Sequence, residues 1–84
     1  ETLSEKSFLL YPNPVSDQLY LKFDRNDDSV HYQIIHISGK MMMEGYTDQN
    51  INEYQIDVNH LPVGMYQIMI NSSGNVSKIK FVKY

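Results

Sequence analysis

Hydrophobic and polar residues alternate along most of the chain. Leu19, Leu21 and Phe23 are separated by Tyr20 and Lys22, which is the period of two expected of a strand with one buried face. The same period recurs in four later segments, whose apolar positions are Tyr32 and Ile34; Tyr54, Ile56 and Val58; Tyr66, Ile68 and Ile70; and Ile79 and Phe81. No segment carries an apolar stripe of helical period. The pattern therefore predicts an all-β protein.

Turn-forming residues separate the predicted strands. Pro12-Asn13-Pro14 is expected to end a first strand over residues 8–11, because proline cannot donate to a strand ladder and holds the preceding residue extended. Gly39, which follows Ser38, predicts a tight hairpin with a glycine at positive φ. Further turns are predicted at Ser16-Asp17, at Asn26-Asp27-Asp28 and between Asn71 and Asn75. About seven strands result, which favours an immunoglobulin-like antiparallel β-sandwich over residues 8–84, preceded by a linker remnant at residues 1–7.

The segment from Leu61 to Tyr66 has the composition of a corner between two strands of a sandwich. In immunoglobulin-like domains, a tyrosine near the start of a late strand turns its hydroxyl back to the upstream backbone. Tyr66 is predicted to make this bond, with Leu61 filling the core below the turn. Gly64 would let the chain swing into the next strand. This motif is predicted to be a folding device.

The composition narrows the classes of protein further. The 84 residues correspond to one domain, and the net charge of −3 does not favour a basic face for a nucleic acid. Cysteine is absent, which excludes disulfides and thiolate zinc sites. No apolar run approaches the length of a membrane-spanning helix, and no signal-peptide pattern opens the chain. We therefore expect no nucleic acid partner and no membrane insertion.

Neither catalysis nor metal binding is favoured by the residue pattern. The chain has no cysteine nucleophile, its serines lie in no catalytic motif, and a small sandwich offers little cleft in which to shift a pKa. His31 and His36 are five apart on one predicted strand, so they point to opposite faces and cannot share a cation. Asp24, Asp27 and Asp28 lack the glycine and glutamate of a calcium loop. We predict no catalytic residue, no metal site and no cofactor.

Three blocks of the sequence resemble the type A sorting domain of the type IX (Por) secretion system, which is found at the C-termini of exported proteins in Bacteroidetes. The first block is Tyr11 to Asp17, followed by Leu19 and Leu21. The second runs from Ile34 to Lys40 and ends in Ser38-Gly39-Lys40. The third extends from Asp57 through Leu61-Pro62, Gly64 and Tyr66 to the lysine-rich segment 78–83. The order and spacing of the blocks carry the resemblance, which covers residues 8–83.

The resemblance implies an export signal that carries an N-terminal passenger through the periplasm and the outer membrane to the cell surface or the medium. Its implied partners are the outer-membrane translocon, a shuttle protein and a sortase-like protease that often removes the domain. The family's recognition positions correspond here to Pro12, Asn13, Pro14, Gly39, Lys40, Leu61, Gly64, Tyr66, Lys78, Lys80, Phe81 and Lys83. Two residues depart from the family pattern: His36 replaces the usual Asp, and Tyr84 follows the usual terminal Lys.

The lysine-rich last strand allows more than one interpretation. Lys78, Lys80 and Lys83 could form a solvated face that guards an edge strand, or a surface read by the translocon. The backbone of the last strand, at Lys80 and Val82, could accept a partner strand, and an unpaired edge could also form a homodimer.

The main alternative function is a fibronectin-like adhesion or carbohydrate-binding module. Such a module would need the tyrosines that look exposed, Tyr20, Tyr46 and Tyr84, on one face. A purely structural spacer is a third alternative. The three consecutive methionines at 41–43 cannot all face inward from a strand, so at least one is expected to be exposed or covered by a partner.

Overall fold

The computed structural model describes residues 8–23, 29–72 and 74–84. These residues form seven strands: β1 (Phe8–Tyr11), β2 (Gln18–Phe23), β3 (His31–His36), β4 (Met41–Tyr46), β5 (Glu53–Asp57), β6 (Gly64–Ser72) and β7 (Asn75–Lys83). The predicted linker remnant at residues 1–7, the predicted turn at 26–28 and the aspartates at 24, 27 and 28 lie outside the described residues. Within the described ranges no helix is long and apolar enough to cross a membrane.

The strands pair in two antiparallel sheets. One sheet has the order β1-β2-β5 and the other the order β4-β3-β6-β7. The hairpins β1–β2, β3–β4 and β6–β7 join sequence neighbours, whereas β2–β5 and β3–β6 pair strands that are distant in the chain. Both sheets turn one apolar face towards a common core. The predicted all-β sandwich of about seven strands is confirmed.

The core lies between the sheets and takes side chains from both. On β2, Leu19 and Leu21 are inaccessible to solvent while Lys22 is exposed, as the period of two predicts. The buried apolar side chains of the described residues are Leu10, Val15, Leu19, Leu21, Phe23, Val30, Tyr32, Ile34, Ile56, Val58, Leu61, Tyr66, Ile68, Ile70 and Phe81. Burying one large aliphatic or aromatic side chain contributes about 1.5–3 kcal/mol to folding.

Tyr32 packs in the core beside β4 and β5. Its ring lies 6.0 Å from that of Tyr54, and its hydroxyl passes over Gly45, where a Cβ atom would lie only 2.8 Å from the Tyr32 Oη. A side chain larger than glycine at position 45 would therefore force the buried Tyr32 ring to shift. Burial, and secondarily the neighbouring Tyr54, raise the pKa of the Tyr32 hydroxyl.

A β-bulge in the β3–β4 hairpin explains the three methionines. The register pairs Ile34 with Met43 but Ile35 with Met41, so Met42 is an additional residue on β4. Because of the bulge, Met42 and Met43 both pack against the core, whereas Met41 is exposed. The expectation that at least one of the three is exposed is confirmed.

Alternation along β7 separates the three lysines. Lys78 and Lys80 are exposed, but Lys83 follows Phe81 by two residues, lies on the same face and is only 6% exposed. Its ammonium Nζ donates to the backbone oxygen of Tyr84 at 3.3 Å. A solvated face of the last strand therefore contains Lys78 and Lys80 but not Lys83.

Candidate recognition site at the hairpin end of the four-stranded sheet

The corner before β6 is held by the tyrosine that the sequence predicts. Tyr66 is buried, and its hydroxyl donates to the carbonyl oxygen of Pro62 at 2.5 Å. Leu61 is also buried, and its backbone N–H donates to the carbonyl of Val58 at 3.0 Å. Burial raises the pKa of the Tyr66 hydroxyl above its ordinary value of 10.0, so the donor state extends further into the alkaline range. The predicted tyrosine corner is confirmed.

The β3–β4 hairpin is fixed by bonds around His36. The N–H of His36 donates to the Lys40 carbonyl at 2.8 Å, and the N–H of Gly39 donates to the His36 carbonyl at 2.8 Å. Gly39 has φ of 98°, as predicted for this position. The His36 Nδ1 accepts the backbone N–H of Ser38 at 3.1 Å and lies 2.9 Å from the Ser38 hydroxyl. The imidazole thus closes the turn with a side-chain bond.

His36 also joins the hairpin to the corner. Its ring meets that of Tyr66 edge-on, with centroids 5.2 Å apart and an interplanar angle of 79°. A Cβ atom at Gly64 would lie 3.3 Å from the His36 Nε2, so glycine leaves room for this contact. The His36 side chain therefore links the second and third sequence blocks, in addition to the backbone pairing of β3 with β6.

The first block covers the outer edge of β7. The Asn13 Oδ1 accepts the Val82 N–H at 3.0 Å, and the Asn13 Nδ2 donates to the Lys80 carbonyl at 3.3 Å. Val15 continues this pairing: its N–H donates to the Val82 carbonyl at 2.8 Å, and its carbonyl accepts the Tyr84 N–H at 2.9 Å. The peptide bonds before Pro12 and Pro14 are both cis.

This arrangement corrects one expectation. The backbone groups of Lys80 and Val82 were expected to be open to a partner strand, but the chain itself pairs with them through Asn13 and Val15. The segment acts as a short parallel strand beside the end of β7, which is a common way of closing a sheet edge. The predicted homodimer stays a prediction, and this part of β7 is closed to it.

A groove of about 220 Å³ lies between the hairpin and the corner. Its lining residues are Ile35, His36, Ile37, Gly39, Met65, Tyr66, Gln67 and Lys80. We call it the hairpin groove. Ile35, Gln67 and Lys80 form one cross-strand row on the outer face of the sheet, because they are register partners on β3, β6 and β7. Met65 lies in the next row, and its carbonyl accepts the N–H of Ile37 at 3.0 Å.

The structure brings part of the predicted recognition set to this groove. Gly39, Tyr66 and Lys80 line it, and Gly64 adjoins it through His36. The other exposed members of the set lie outside the lining. Lys40 follows Gly39 in the hairpin, and Pro12, Asn13 and Pro14 belong to the segment that covers the edge of β7. Lys78 lies further along the outer face of β7.

The other members of the set are buried. Leu61 lies in the core, and Phe81 stacks on Tyr66 in the core with centroids 5.5 Å apart. Lys83 is buried on the Phe81 side of β7. These three side chains present almost no surface to a partner.

Sequence reasoning missed four residues that line the groove from the outer face. Ile35 and Ile37 lie in the second block and Met65 and Gln67 within the span of the third, but none of the four belongs to the predicted recognition set. A signal for them was present: Met65 and Gln67 flank Tyr66, so the alternation that buries Tyr66 places them on the outer face. The sequence did not show that β3 and β6 are neighbours, which brings the four together.

The tyrosines form no common aromatic platform. Tyr20 is partly buried, on the outer face of the three-stranded sheet, and its ring stacks against that of Tyr11 at 5.5 Å and 23°. Tyr46 is paired in register with His31 on the outer face of the other sheet. Among the residues described, no three acidic or histidine side chains gather as metal ligands would. The adhesion-module alternative gains no support from this distribution.

Comparison with known protein families identifies a match over most of the chain. Residues 9–84 match the model of the family described as the secretion system C-terminal sorting domain. A search of curated proteins finds none that matches. The matched range contains all three sequence blocks and all seven strands apart from Phe8. The chain therefore belongs to this family and is a C-terminal sorting signal of type IX secretion.

Proposed function

We propose that the outer-membrane translocon of the type IX system recognises this domain through the hairpin end of its four-stranded sheet. The convergence of the three sequence blocks carries the proposal. Asn13, Gly39 and Tyr66 are far apart in the chain, yet all lie at or beside one end of one sheet. A surface assembled from three separate blocks suits recognition of the folded domain rather than of an extended tail.

Within the predicted recognition set we assign two roles. The exposed members contact the machinery: Pro12, Asn13, Pro14, Gly39, Lys40, Lys78 and Lys80. The remaining members hold that surface in shape from the core or the corner: Leu61, Gly64, Tyr66, Phe81 and Lys83. For the exposed lysines Lys40, Lys78 and Lys80, the first role predicts loss of export without loss of stability. Asn13 and Gly39 also hold the backbone in place, so their substitution affects stability as well. The second role predicts that export and stability are lost together.

The domain would act without chemistry of its own. A passenger that precedes the domain is carried across the outer membrane, a shuttle protein delivers it to the surface, and a sortase-like protease cleaves the chain before the sandwich. Cleavage at that position fits a domain whose first strand starts at Phe8 and is paired along its length with β2. The passenger then reaches the cell surface or the medium.

A reporter fusion tests the proposal. Residues 1–84 are fused to the C-terminus of a periplasmic fluorescent protein and expressed in a type IX-competent bacterium and in a translocon-deficient strain. We expect fluorescence at the surface or in the medium of the competent strain only. The reporter without the domain is the control and should stay in the periplasm of both strains.

Retention of the reporter in the periplasm is the opposite result. Reporter retained in the periplasm of the competent strain, with the fused domain shown to be folded by protease resistance, would contradict the sorting role. It would leave the adhesion module as the leading alternative, with the structural spacer as the other.

A further inference from the structure

We propose that the hairpin groove receives one apolar side chain of a protein partner, beside a partner carboxylate that pairs with Lys80. This inference rests on the proposed function and specifies the chemistry of the surface that reads the domain. The partner is therefore a protein loop or strand in which an apolar residue lies next to an aspartate or glutamate.

The apolar part of the proposal follows from exposure around the groove. Ile37 is 68% exposed and Met65 is 49% exposed, although both are large apolar side chains. Val82 is the register partner of Met65 on the same outer face and is 37% exposed. Adjacent exposed apolar side chains beside a concave site are typical of a protein-binding surface.

The groove is held in shape before any partner arrives. One wall is the hairpin, which the bonds of His36 to Ser38, Gly39 and Lys40 close. The other is the corner, which the Tyr66 hydroxyl fastens to Pro62. A preformed site avoids the entropy cost of ordering its walls on binding, so a single inserted side chain can bind effectively.

The positive charge of Lys80 favours a carboxylate on the partner, next to the inserted apolar side chain. Lys80 lines the groove, Lys40 is exposed in the adjoining hairpin, and no carboxylate is among the lining residues. Within the described ranges the one ion pair joins His31 to Glu44, which does not involve either lysine. The whole chain is acidic, with a net charge of −3, so attraction of a carboxylate depends on this local pair of lysines.

The apolar contact is tested in the reporter fusion with Met65→Asp and Ile37→Asp. Val76→Asp is the matched control, because Val76 is 53% exposed on the outer face of the same sheet and lies outside the groove. We expect each groove variant to lower the amount of exported reporter at least about tenfold, as substitution of a central interface residue does. The amount exported with the control should stay within about twofold of the unmodified fusion. Met65→Ser, which removes the apolar group without adding charge, should follow Met65→Asp.

The charged contact is tested with Lys80→Glu and Lys80→Arg. Charge reversal should reduce export about as strongly as the apolar variants, whereas Arg keeps the cation and should preserve it. Lys22→Glu is the control, since Lys22 is exposed on the other sheet. Thermal unfolding of each purified domain shows whether a variant still folds, and the outward side chains lead us to expect that all do.

The outcomes separate this inference from the proposed function. If the unmodified fusion is not exported, the sorting role fails and the inference fails with it. If the unmodified fusion is exported and the groove variants match Val76→Asp, only the inference is overturned. If the groove variants instead abolish self-association on size-exclusion chromatography while export persists, the occupant is a second copy of the domain, which also overturns it.

Discussion

At the scale of single residues, Lys80 and Lys83 show how alternation gives one residue type two roles. Both lie on β7, but Lys80 points outward while Lys83 is buried beside the core. A buried lysine contributes through its aliphatic stem, whereas its ammonium group must be desolvated. The sequence pattern already contained this distinction, since Lys83 has the same parity as Phe81.

We predict that Lys83→Ala lowers the free energy of unfolding by about 1–2 kcal/mol, because the stem no longer fills its site. Lys83→Met keeps an unbranched stem without the charge and should retain or raise the stability. Lys80→Ala should change it by less than about 0.5 kcal/mol, as is usual for surface sites. Urea unfolding at neutral pH measures all three. A loss for Lys83→Ala as small as that for Lys80→Ala would contradict the structural role of the Lys83 stem.

His36 is the residue whose importance the sequence concealed. As a lone histidine it indicated neither metal nor catalysis, and its place in the family pattern marked it only as a departure. In the structure its ring accepts the Ser38 N–H and packs on Tyr66. Its role depends on the spatial proximity of β3 and β6, which no local pattern of residues contains.

At the scale of elements, the segment from Asn13 to Val15 is the least expected feature. Proline-rich composition correctly predicted that the first strand ends at Tyr11. It did not predict that the following residues pair with the last strand, 67 to 69 positions away. Such pairing closes an edge that would otherwise be open to other chains.

We predict that Asn13→Ala lowers the free energy of unfolding by about 0.5–1.5 kcal/mol, because two exposed backbone groups of β7 exchange their side-chain partner for water. Hydrogen exchange at the Val82 amide should accelerate, since the Asn13 Oδ1 accepts that N–H at 3.0 Å. Asn52→Ala, at an exposed asparagine, is the control and should leave both measurements nearly unchanged. Unaltered protection of the Val82 amide in Asn13→Ala would show that the side chain does not close the edge.

At the scale of the whole molecule, the core contains two buried tyrosine hydroxyls that affect stability at alkaline pH. Burial raises the pKa of Tyr32 and of Tyr66 above the ordinary value of 10.0. The unfolded chain therefore releases these protons at lower pH than the folded protein does. The stability that the protonated Tyr32 and Tyr66 hydroxyls contribute is fully present below about pH 10. It is lost as the pH rises through their pKa values in the folded protein.

We predict that the free energy of unfolding falls as the pH rises above about 10, and that Tyr66→Phe makes this fall shallower. The same variant should cost about 1 kcal/mol at pH 7, because the bond to the Pro62 carbonyl is lost. Tyr84→Phe is the control, since Tyr84 is exposed. Urea unfolding between pH 7 and 11 makes the comparison. Parallel pH profiles for the Tyr66 and Tyr84 variants would contradict the assignment.

The fold class and part of the site followed from local sequence. Alternation of apolar residues predicted the strands and which face of each is buried, because side chains of a strand point alternately to its two sides. The turn at Gly39 and the corner at Tyr66 were predicted because their chemistry is contained in a few consecutive residues. The three blocks of family resemblance led to the sorting role, which the family match confirms.

Tertiary structure alone decided which of these segments touch. The order β4-β3-β6-β7 brings Ile35, Gln67 and Lys80 into one row, and the chain folds Asn13 onto the edge of β7. Strand pairing is set by burying one face of each sheet in a common core. That burial depends on the whole chain rather than on any one segment. The sequence by itself therefore determined the strands, their faces and the family, while the hairpin groove and the closed edge exist only once the sheets have assembled.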